Sequence, residues 1–401
     1  MKISCYMCRT FKKCPIHSVE GLSRSINIKE IKELNSSSPP AVFVGSKLHY
    51  PSVNVGVLSP LEKESPWIYD AQSYWAANDF NINDIITLRS NLINSRFTTN
   101  VHEINKFTKI AQEIAMSVKP ADIEVNLKKK IKVKISFDQT NLPIGPRGQL
   151  ENIRLTSNTK IPDKIEKVFY DTDLKAVDAI AYLQESNFDE RQISQLLSIG
   201  TLGLKKNRRL VPTRFSITAA DDTLGKNLME NIKDYKLLED YEMYYGCYLG
   251  NYYIILLIPE LFSYELFETY LPSAYTAKPS TSTDYEDVFG RKTYASNTIG
   301  GYYAARLPIL QNLNSKKRQA SILVLRFITD EYHTPLGVFV CREATRKSIS
   351  ATPTIFASRE DLLNITKQFI LEKFKFDVED LYKKSKLLKN LKTQSKLTRF
   401  F

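Results

Sequence analysis

From residue 123 to residue 137 the odd positions are Ile, Val, Leu, Lys, Ile, Val, Ile and Phe. A period of two predicts a strand with one buried face, and its other face carries Lys128, Lys130, Lys132 and Lys134. Residues 103 to 117 repeat differently: Ile104, Phe107, Ile110, Ala111 and Ile114 fall on one helical stripe, and Leu174 to Leu183 and Asp189 to Leu197 follow the same spacing. Short β-like runs open the body at Ala41 to Gly45 and Val53 to Leu58. Tyr248-Leu249-Gly250-Asn251-Tyr252 reads as a tight hairpin turn between aromatic strands. Arg214 to Thr218 has strand character, Ala219 to Asp222 turns, and Thr223 to Glu230 is helical. Strands are expected at Ile322 to Ile328 and Leu336 to Cys341, then helices from Arg359 to about Lys392. Interleaved strands and helices predict an α+β fold, a mixed α/β body.

Polar breaks divide that pattern. Asn35-Ser36-Ser37-Ser38-Pro39-Pro40 reads as a linker, and Lys278 to Asp284 as a surface loop. The expected organisation is a Cys/His unit over 1–18, a connecting segment over 19–40 and an N-terminal lobe over 41–277. A loop over 278–292, a C-terminal lobe over 293–376, a basic helical tail over 377–393 and a terminal motif over 394–401 follow. With 401 residues, 43% hydrophobic and 25% charged, the chain is ordinary globular material. No stretch approaches the roughly 18 to 20 apolar residues of a membrane span. Met1-Lys2-Ile3-Ser4-Cys5 does not open a signal peptide, so an intracellular protein is expected.

The net charge of +12 is unevenly placed. Residues 381 to 401 hold Lys383, Lys384, Lys386, Lys389, Lys392, Lys396 and Arg399 and no acid; residues 1 to 17 hold Lys2, Arg9, Lys12 and Lys13 and no acid. With those eleven set aside, 45 basic residues face 44 acidic ones, so the body is close to neutral. The basic ends could catch a polyanion such as DNA in a salt-sensitive way, with Lys383, Lys384, Lys386, Lys389 and Lys392 as the contacts, or serve as a solvated, flexible tail.

Cysteine is equally concentrated. Cys5-x2-Cys8-x5-Cys14-x2-His17 offers three thiols and an imidazole, a set suited to one tetrahedral zinc ion of structural kind. Cys247 and Cys341 stand alone and are expected as buried thiols. In Arg208 to Leu228, Asp221 and Asp222 at a strand end, with Arg208, Arg209, Arg214 and Lys226 close by, could hold Mg²⁺ against a phosphate. The plainer reading has one of the two carboxylates cap the following helix and pair with Arg214. DQTNLPIGPRGQ, Asp138 to Gln149, sets Asn141, Arg147 and Gln149 among glycines, where a backbone can approach a phosphate or simply turn. Ile299 to Leu307 and Pro335 to Arg346 place aromatic rings beside Arg306, Arg342, Glu343 and Arg346. Such rings stack on bases or finish a core.

These segments, with PPAVFVG and YPSVNVGVLSP between Pro39 and Pro60, RLVPTRFSITAADDTLG and IGGYYAARLPIL, resemble the archaeal Nre DNA-repair family, of the NreA type. The resemblance runs along most of the chain in the same order. It implies a cytoplasmic archaeal DNA-repair protein with an amino-terminal Cys-rich zinc element and a carboxy-terminal motif for the sliding clamp PCNA. Members tend to carry four cysteines before the linker, whereas here Cys5, Cys8 and Cys14 match and His17 stands as fourth ligand. Gln394-x2-Leu397-x2-Phe400-Phe401 has the spacing of a PCNA-interacting peptide: one 3₁₀ turn sets Leu397 and Phe400 on one side with Phe401 beside them. Two classes of body remain open. One is a non-catalytic module that binds DNA or a repair intermediate. The other is a DNA-acting enzyme, either a metal-dependent nuclease on Asp221, Asp222 and Arg214 or an NAD-dependent ADP-ribosyltransferase on Arg147, Tyr302 and Glu343.

Overall fold

The computed structural model describes residues 30–131, 145–272 and 278–393. They form two compact units, residues 30–224 with 333–337 and residues 225–332 with 338–393.

The first unit opens with β1 (Ile31–Ser38), β2 (Val42–Val44) and β3 (Ser52–Pro60). A 3₁₀ turn, Pro66–Asp70, and helices α1 (Gln72–Ala77) and α2 (Ile82–Ser90) precede β4 (Leu92–Asn100), α3 (Lys106–Met116), β5 (Ala121–Ile131) and β6 (Arg147–Leu155). Helices α4 (Asp163–Tyr170), α5 (Ala176–Glu185) and α6 (Glu190–Ser198) follow. The six strands lie in the order β1-β5-β6-β4-β3-β2. All neighbours are antiparallel except β4 and β6, where Asn94, Ser95 and Arg96 pair in parallel with Arg147, Gly148 and Gln149. The two edge strands are consecutive in sequence, with only residues 39–41 between them. A trans peptide advances at most about 3.8 Å per residue, so the two edges are held side by side and the sheet closes into a barrel. Ser36 Oγ donates to the Pro60 carbonyl (2.5 Å) and Ser38 Oγ to that of Leu58 (2.7 Å) across this seam. Gln195 Nε2 donates to the Pro40 carbonyl (2.5 Å) at the bend. Pro39 and Pro40 therefore bend a single long strand rather than form a linker, and Ser36, Ser37 and Ser38 are buried.

The barrel interior is apolar: Val53, Val55, Val57, Ile93, Phe97, Ile123, Val125, Leu127, Leu150 and Ile153 pack there with Ala111, Ile114 and Ala115 of α3. The period-two reading of β5 holds for Ile123, Val125, Leu127 and Ile131, which are buried, and for Lys128 and Lys130, which are exposed, but breaks at Lys129, an odd position that is exposed. Asn105 caps α3 by accepting from the Thr108 amide at 3.0 Å, and Asp189 caps α6 by accepting from that of Gln192 at 2.7 Å.

Helix α7 (Thr213–Lys233) replaces the expected strand, turn and helix. Its β-branched start suggests a strand, but Ser216, Ala220, Leu224 and Leu228 are buried at four-residue spacing, which is a helical stripe. The unit boundary falls inside this helix.

The second unit continues with β7 (Lys236–Leu237), β8 (Tyr241–Tyr248), β9 (Asn251–Ile258), β10 (Ser263–Tyr270), β11 (Ser280–Glu286), α8 (Ile299–Lys316), β12 (Arg318–Gln319) and β13 (Ser321–Ile328). Helix α9 (Phe339–Ile349), β14 (Thr354–Phe356), α10 (Arg359–Phe374), α11 (Glu379–Lys384) and α12 (Lys386–Thr393) complete it. Its main sheet runs β11-β10-β13-β9-β8-β14, with only β10 and β13 parallel. Leu249 (φ 50°) and Gly250 (φ 69°) make the expected β8–β9 hairpin turn, both in the left-handed region that a type I′ turn demands. One face of the sheet, with Ile254, Leu256, Phe267, Leu323 and Leu325, packs on Leu362, Ile370, Leu381, Leu387 and Leu388 of α10 to α12. The other face meets α8 and α9.

Four further expectations change here. Residues 278–292 include β11, which pairs along its length with β10. Leu336 to Cys341 is no strand, because residues 339–341 open α9; a short apolar run does not by itself separate a buried strand from a buried helix. Residues 377–393 are helical, and they are docked by Leu387 and Leu388 rather than solvated throughout. Cys341 is buried as expected, but Cys247 is exposed.

Candidate functional site

Charged side chains are rarely fully buried unless paired, and the α8–α9 face of the second sheet buries several. Strand β13 is apolar but for Ser321 and Arg326. Arg326 pairs with Glu268 of β10 and donates to Asn251 Oδ1 at 2.5 Å. Arg306 of α8 is fully buried and donates from one nitrogen to both Glu286 oxygens at 2.7 and 2.9 Å. Asp284, two residues before Glu286 and so on the same face of β11, accepts from the Asn297 and Thr298 amides at 2.9 and 2.8 Å and holds the entry to α8.

The glycines of this region make room for these groups. A Cβ on Gly225, in α7, would stand 2.9 Å from an Arg306 nitrogen, and one on Gly301, in the first turn of α8, 2.6 Å from Glu268 Oε1. Glycine inside a helix costs about 1 kcal/mol relative to alanine, and here that cost admits a guanidinium and a carboxylate.

Aromatic rings line the array. Tyr302 meets Tyr264 edge-on at 4.8 Å between centroids, and the Arg306 guanidinium carbon lies 5.9 Å from the Tyr302 ring and 5.4 Å from that of Tyr303. The Tyr302 hydroxyl is buried without a hydrogen-bond partner among the described residues. Burial, with Glu286 adding to it, holds Tyr302 well above the ordinary tyrosine value, so its proton stays on. Burial likewise pushes the Cys341 thiol up, which leaves it a poor nucleophile. The array is thus internally neutralised: its cations and carboxylates satisfy each other.

On the opposite face, Glu265 of β10 is fully buried. Its carboxylate accepts from Ser385 Oγ at 2.5 Å and from the amides of Lys386 and Leu387 at 3.0 Å each. A strand residue therefore caps the N-terminus of α12, with Ser385 also accepting from the Leu388 amide at 3.0 Å. Burial raises the Glu265 pKa although these donors pull it down. Lys383, Lys384, Lys386, Lys389 and Lys392 are all exposed along α11 and α12.

The other predicted residues are placed as follows. Asp221 and Asp222 lie in the middle of α7, not at a strand end and not at a cap. Asp221 is 1% exposed while Asp222 is half-buried, as neighbours about 100° apart on a helix must differ. Arg214 is exposed over the Phe215 ring at 4.4 Å. Arg208 is committed to carbonyls: it donates to those of Phe169 (2.6 Å), Gly203 (2.7 Å) and Asp171 (2.9 Å), tying the end of α4 to the loop before α7. Gly145 serves packing, since a Cβ there would come within 2.2 Å of the Ser90 carbonyl oxygen. Arg147 is exposed at the start of β6 in the first unit, whereas Tyr302 and Glu343 belong to the second. Glu343 is buried and paired with Arg346 one turn along α9. Cys5, Cys8, Cys14 and His17, Asn141, and Gln394, Leu397, Phe400 and Phe401 lie outside the described residues; among the described residues no group of three or more His, Cys, Asp or Glu side chains is placed to hold a metal. Glu265, Glu268, Asn251, Glu286 and Arg326 were not singled out from sequence. Their one legible signal is a charge interrupting an apolar strand, as Arg326 does.

No helix among the described residues is long and apolar enough to cross a membrane. Residues 7–276 match the family model described as Archaeal Nre, N-terminal, and residues 286–400 the one described as Archaeal Nre, C-terminal. The chain is 36% identical over 364 residues to a protein named DNA repair protein NreA from Archaeoglobus fulgidus, covering 88% of each chain. It is 34% identical over 396 residues to DNA repair protein NreB of the same organism, covering 96% of this chain and 97% of the relative. To DNA repair protein NreA from Haloferax volcanii it is 32% identical over 366 residues, covering 88% and 86%. No solved structure matches.

Proposed function

The chain belongs to the archaeal Nre family, and from that premise we propose that it is a DNA-repair protein recruited to the sliding clamp PCNA through Gln394, Leu397, Phe400 and Phe401, and that it binds DNA or a repair intermediate. The observation that carries this reading is the setting of the motif. Gln394 follows directly on α12, whose N-terminus is pinned to a buried strand by Glu265. A motif attached to an anchored helix works at a defined distance from the body, and capture by the clamp raises the body's local concentration on DNA. The exposed lysines of α11 and α12 steer that end toward an acidic clamp surface or its DNA.

A zinc element at Cys5, Cys8, Cys14 and His17 belongs to the same proposal. Three thiolates and one imidazole fit a closed tetrahedral site, structural rather than catalytic. Asp221 and Asp222 at mid-helix, and the self-paired charges of the second unit, give no comparable support to a nuclease or transferase.

Calorimetry with PCNA tests the recruitment. Phe400→Ala/Phe401→Ala should weaken binding by well over tenfold, since anchors of this kind are each worth about 2 kcal/mol. Wild-type affinity in the double variant sinks the proposal.

A further inference from the structure

The barrel of the first unit has a particular circuit. Its first strand is the bent pair β1 and β2, which borders β5 with one half and β3 with the other. Next come β3 and β4, then α3, which plugs the interior, then β5 and β6, with β6 running parallel to β4. This is the Greek-key circuit of the OB barrel, in which the face of the second and third strands, with the flanking loops, holds single-stranded nucleic acid or sugars. Topology alone does not assign a ligand; the side chains on that face do.

The corresponding face is the outward one of β3, β4 and β6. Asn54 pairs with Thr98, Gly56 with Arg96, and Arg96 with Gln149. Thr98, Arg147 and Gln149 are exposed and Arg96 and Asn54 half-buried. Thr98 donates to Asn54 Oδ1 at 2.9 Å, which fixes both amide and hydroxyl. The side chains of Arg96, Gln149 and Lys128 make no hydrogen bond or ion pair among the described residues. Of the carboxylates farther along the sheet, Glu124 is engaged by Arg154 at 2.5 Å and Glu30 by Lys130 at 2.9 Å, while Glu151, two residues from Gln149 on β6, is exposed. Asn94 lies over Gly56, where a Cβ would come within 1.8 Å of its Oδ1. Asn94 is 3% exposed and that oxygen has no partner among the described residues. At the end of the face where Ser52 pairs with Asn100, the β2–β3 loop projects Tyr50, 70% exposed, beside His49 and Lys47. Cations for phosphates, amides for base edges and an unstacked ring are the parts a single-strand platform needs.

We propose that the β3–β4–β6 face, with Arg96, Arg147, Gln149, Asn54 and Tyr50, binds single-stranded DNA. Arg96 and Arg147 take phosphates, Tyr50 stacks on a base, and the amides meet base edges. This inference rests on the DNA-repair reading but places the contact on the barrel instead of on the lysines of α11 and α12. From Asn94 to Asn100 the face spans about 20 Å at roughly 3.3 Å per residue, enough for three or four nucleotides.

The test is fluorescence anisotropy of labelled dT15 with the full chain, across a salt series. Arg96→Ala/Arg147→Ala should weaken binding at least tenfold and lower the salt slope by roughly 1.4, about 0.7 for each single-strand phosphate that is no longer neutralised. Tyr50→Ala should cost roughly tenfold with the slope unchanged. Tyr50 and Arg147 are exposed and Arg96 is half-buried, so each variant's melting temperature is compared with that of wild type before its binding is read. Changing the exposed Lys383, Lys384, Lys386, Lys389 and Lys392 to alanine, which leaves the docked leucines in place, should leave these sensitivities intact. A triple variant that binds dT15 within twofold of wild type overturns the proposal. So does a loss of binding confined to that five-lysine variant, which would leave the recruitment reading standing and return DNA binding to the lysines of α11 and α12. Tighter binding of rU15 than dT15 by tenfold or more overturns the assignment to DNA. Absence of dT15 binding by wild type overturns this site, and PCNA calorimetry then shows separately whether recruitment survives.

Discussion

Replacing Glu265 by leucine removes the acceptor that begins α12 while keeping most of the side-chain volume. In the wild type its carboxylate receives three donors, Ser385 Oγ and the amides of Lys386 and Leu387. The Ser385 and Leu387 contacts are buried, and the Lys386 amide is only partly so. A buried donor left without an acceptor costs about 1–3 kcal/mol, so two such donors set a range of about 2–6 kcal/mol. Relief of the carboxylate's own desolvation takes back part of it, and a net cost of about 2–4 kcal/mol is expected. That cost falls locally, on the docking of Leu387 and Leu388, rather than on the whole unit. Hydrogen exchange at the amides of residues 387–389 should accelerate by roughly 30- to 1000-fold, the equivalent of that free energy at about 1.4 kcal/mol per tenfold. Amides in β13 should be unaffected. Exchange at 387–389 within threefold of wild type would refute the argument, because α12 would then be held without Glu265.

The remaining expectations are shorter. Glu286→Gln removes the carboxylate paired with the fully buried Arg306 and should cost about 3–5 kcal/mol in chemical denaturation; a loss under 1 kcal/mol would refute the importance of that pair. Gly225→Ala should destabilise despite the better helix propensity of alanine, because the new Cβ meets Arg306 at 2.9 Å; a variant that melts higher contradicts that close approach. The pKa of Glu265 is raised in the fold, so its contribution is complete below the ordinary carboxylate value and declines as pH climbs through the raised one. The stability of wild type over Glu265→Gln should accordingly shrink with rising pH, and a gap that widens with rising pH reverses the sign. One zinc per chain is expected by elemental analysis, lost when Cys5, Cys8, Cys14 and His17 are all changed to alanine; metal retained in that variant places the site elsewhere.

What the sequence determined by itself were the features that local chemistry writes into a short window. The alternation of Ile123, Val125 and Leu127 sets β5, the stripe through Ala111 and Ile114 sets α3, and Leu249-Gly250 sets the β8–β9 turn, each because neighbours in sequence are also neighbours in the element. The family resemblance was legible for a related reason: segments such as TAADDTLG and IGGYYAARL are contiguous runs that can be recognised without knowing what they pack against. What their residues do is a tertiary matter. Nothing in a linear reading marks Gly225 or Gly301, and only the fold brings Arg306 and Glu268 within 3 Å of where a Cβ would stand. Asp221 and Asp222 suggested a metal pair because both are acids, yet a helix turns them about 100° apart and buries one. Ser36 to Pro40 has the composition of a linker, and it became a bent barrel strand because β5 and β3 supply partners from 20 to 87 residues away. The same holds for Glu265, which caps a helix 120 residues downstream. Local propensity is decided within one turn or one strand, whereas a buried charge, a close glycine and a closed barrel exist only once distant segments have been packed together.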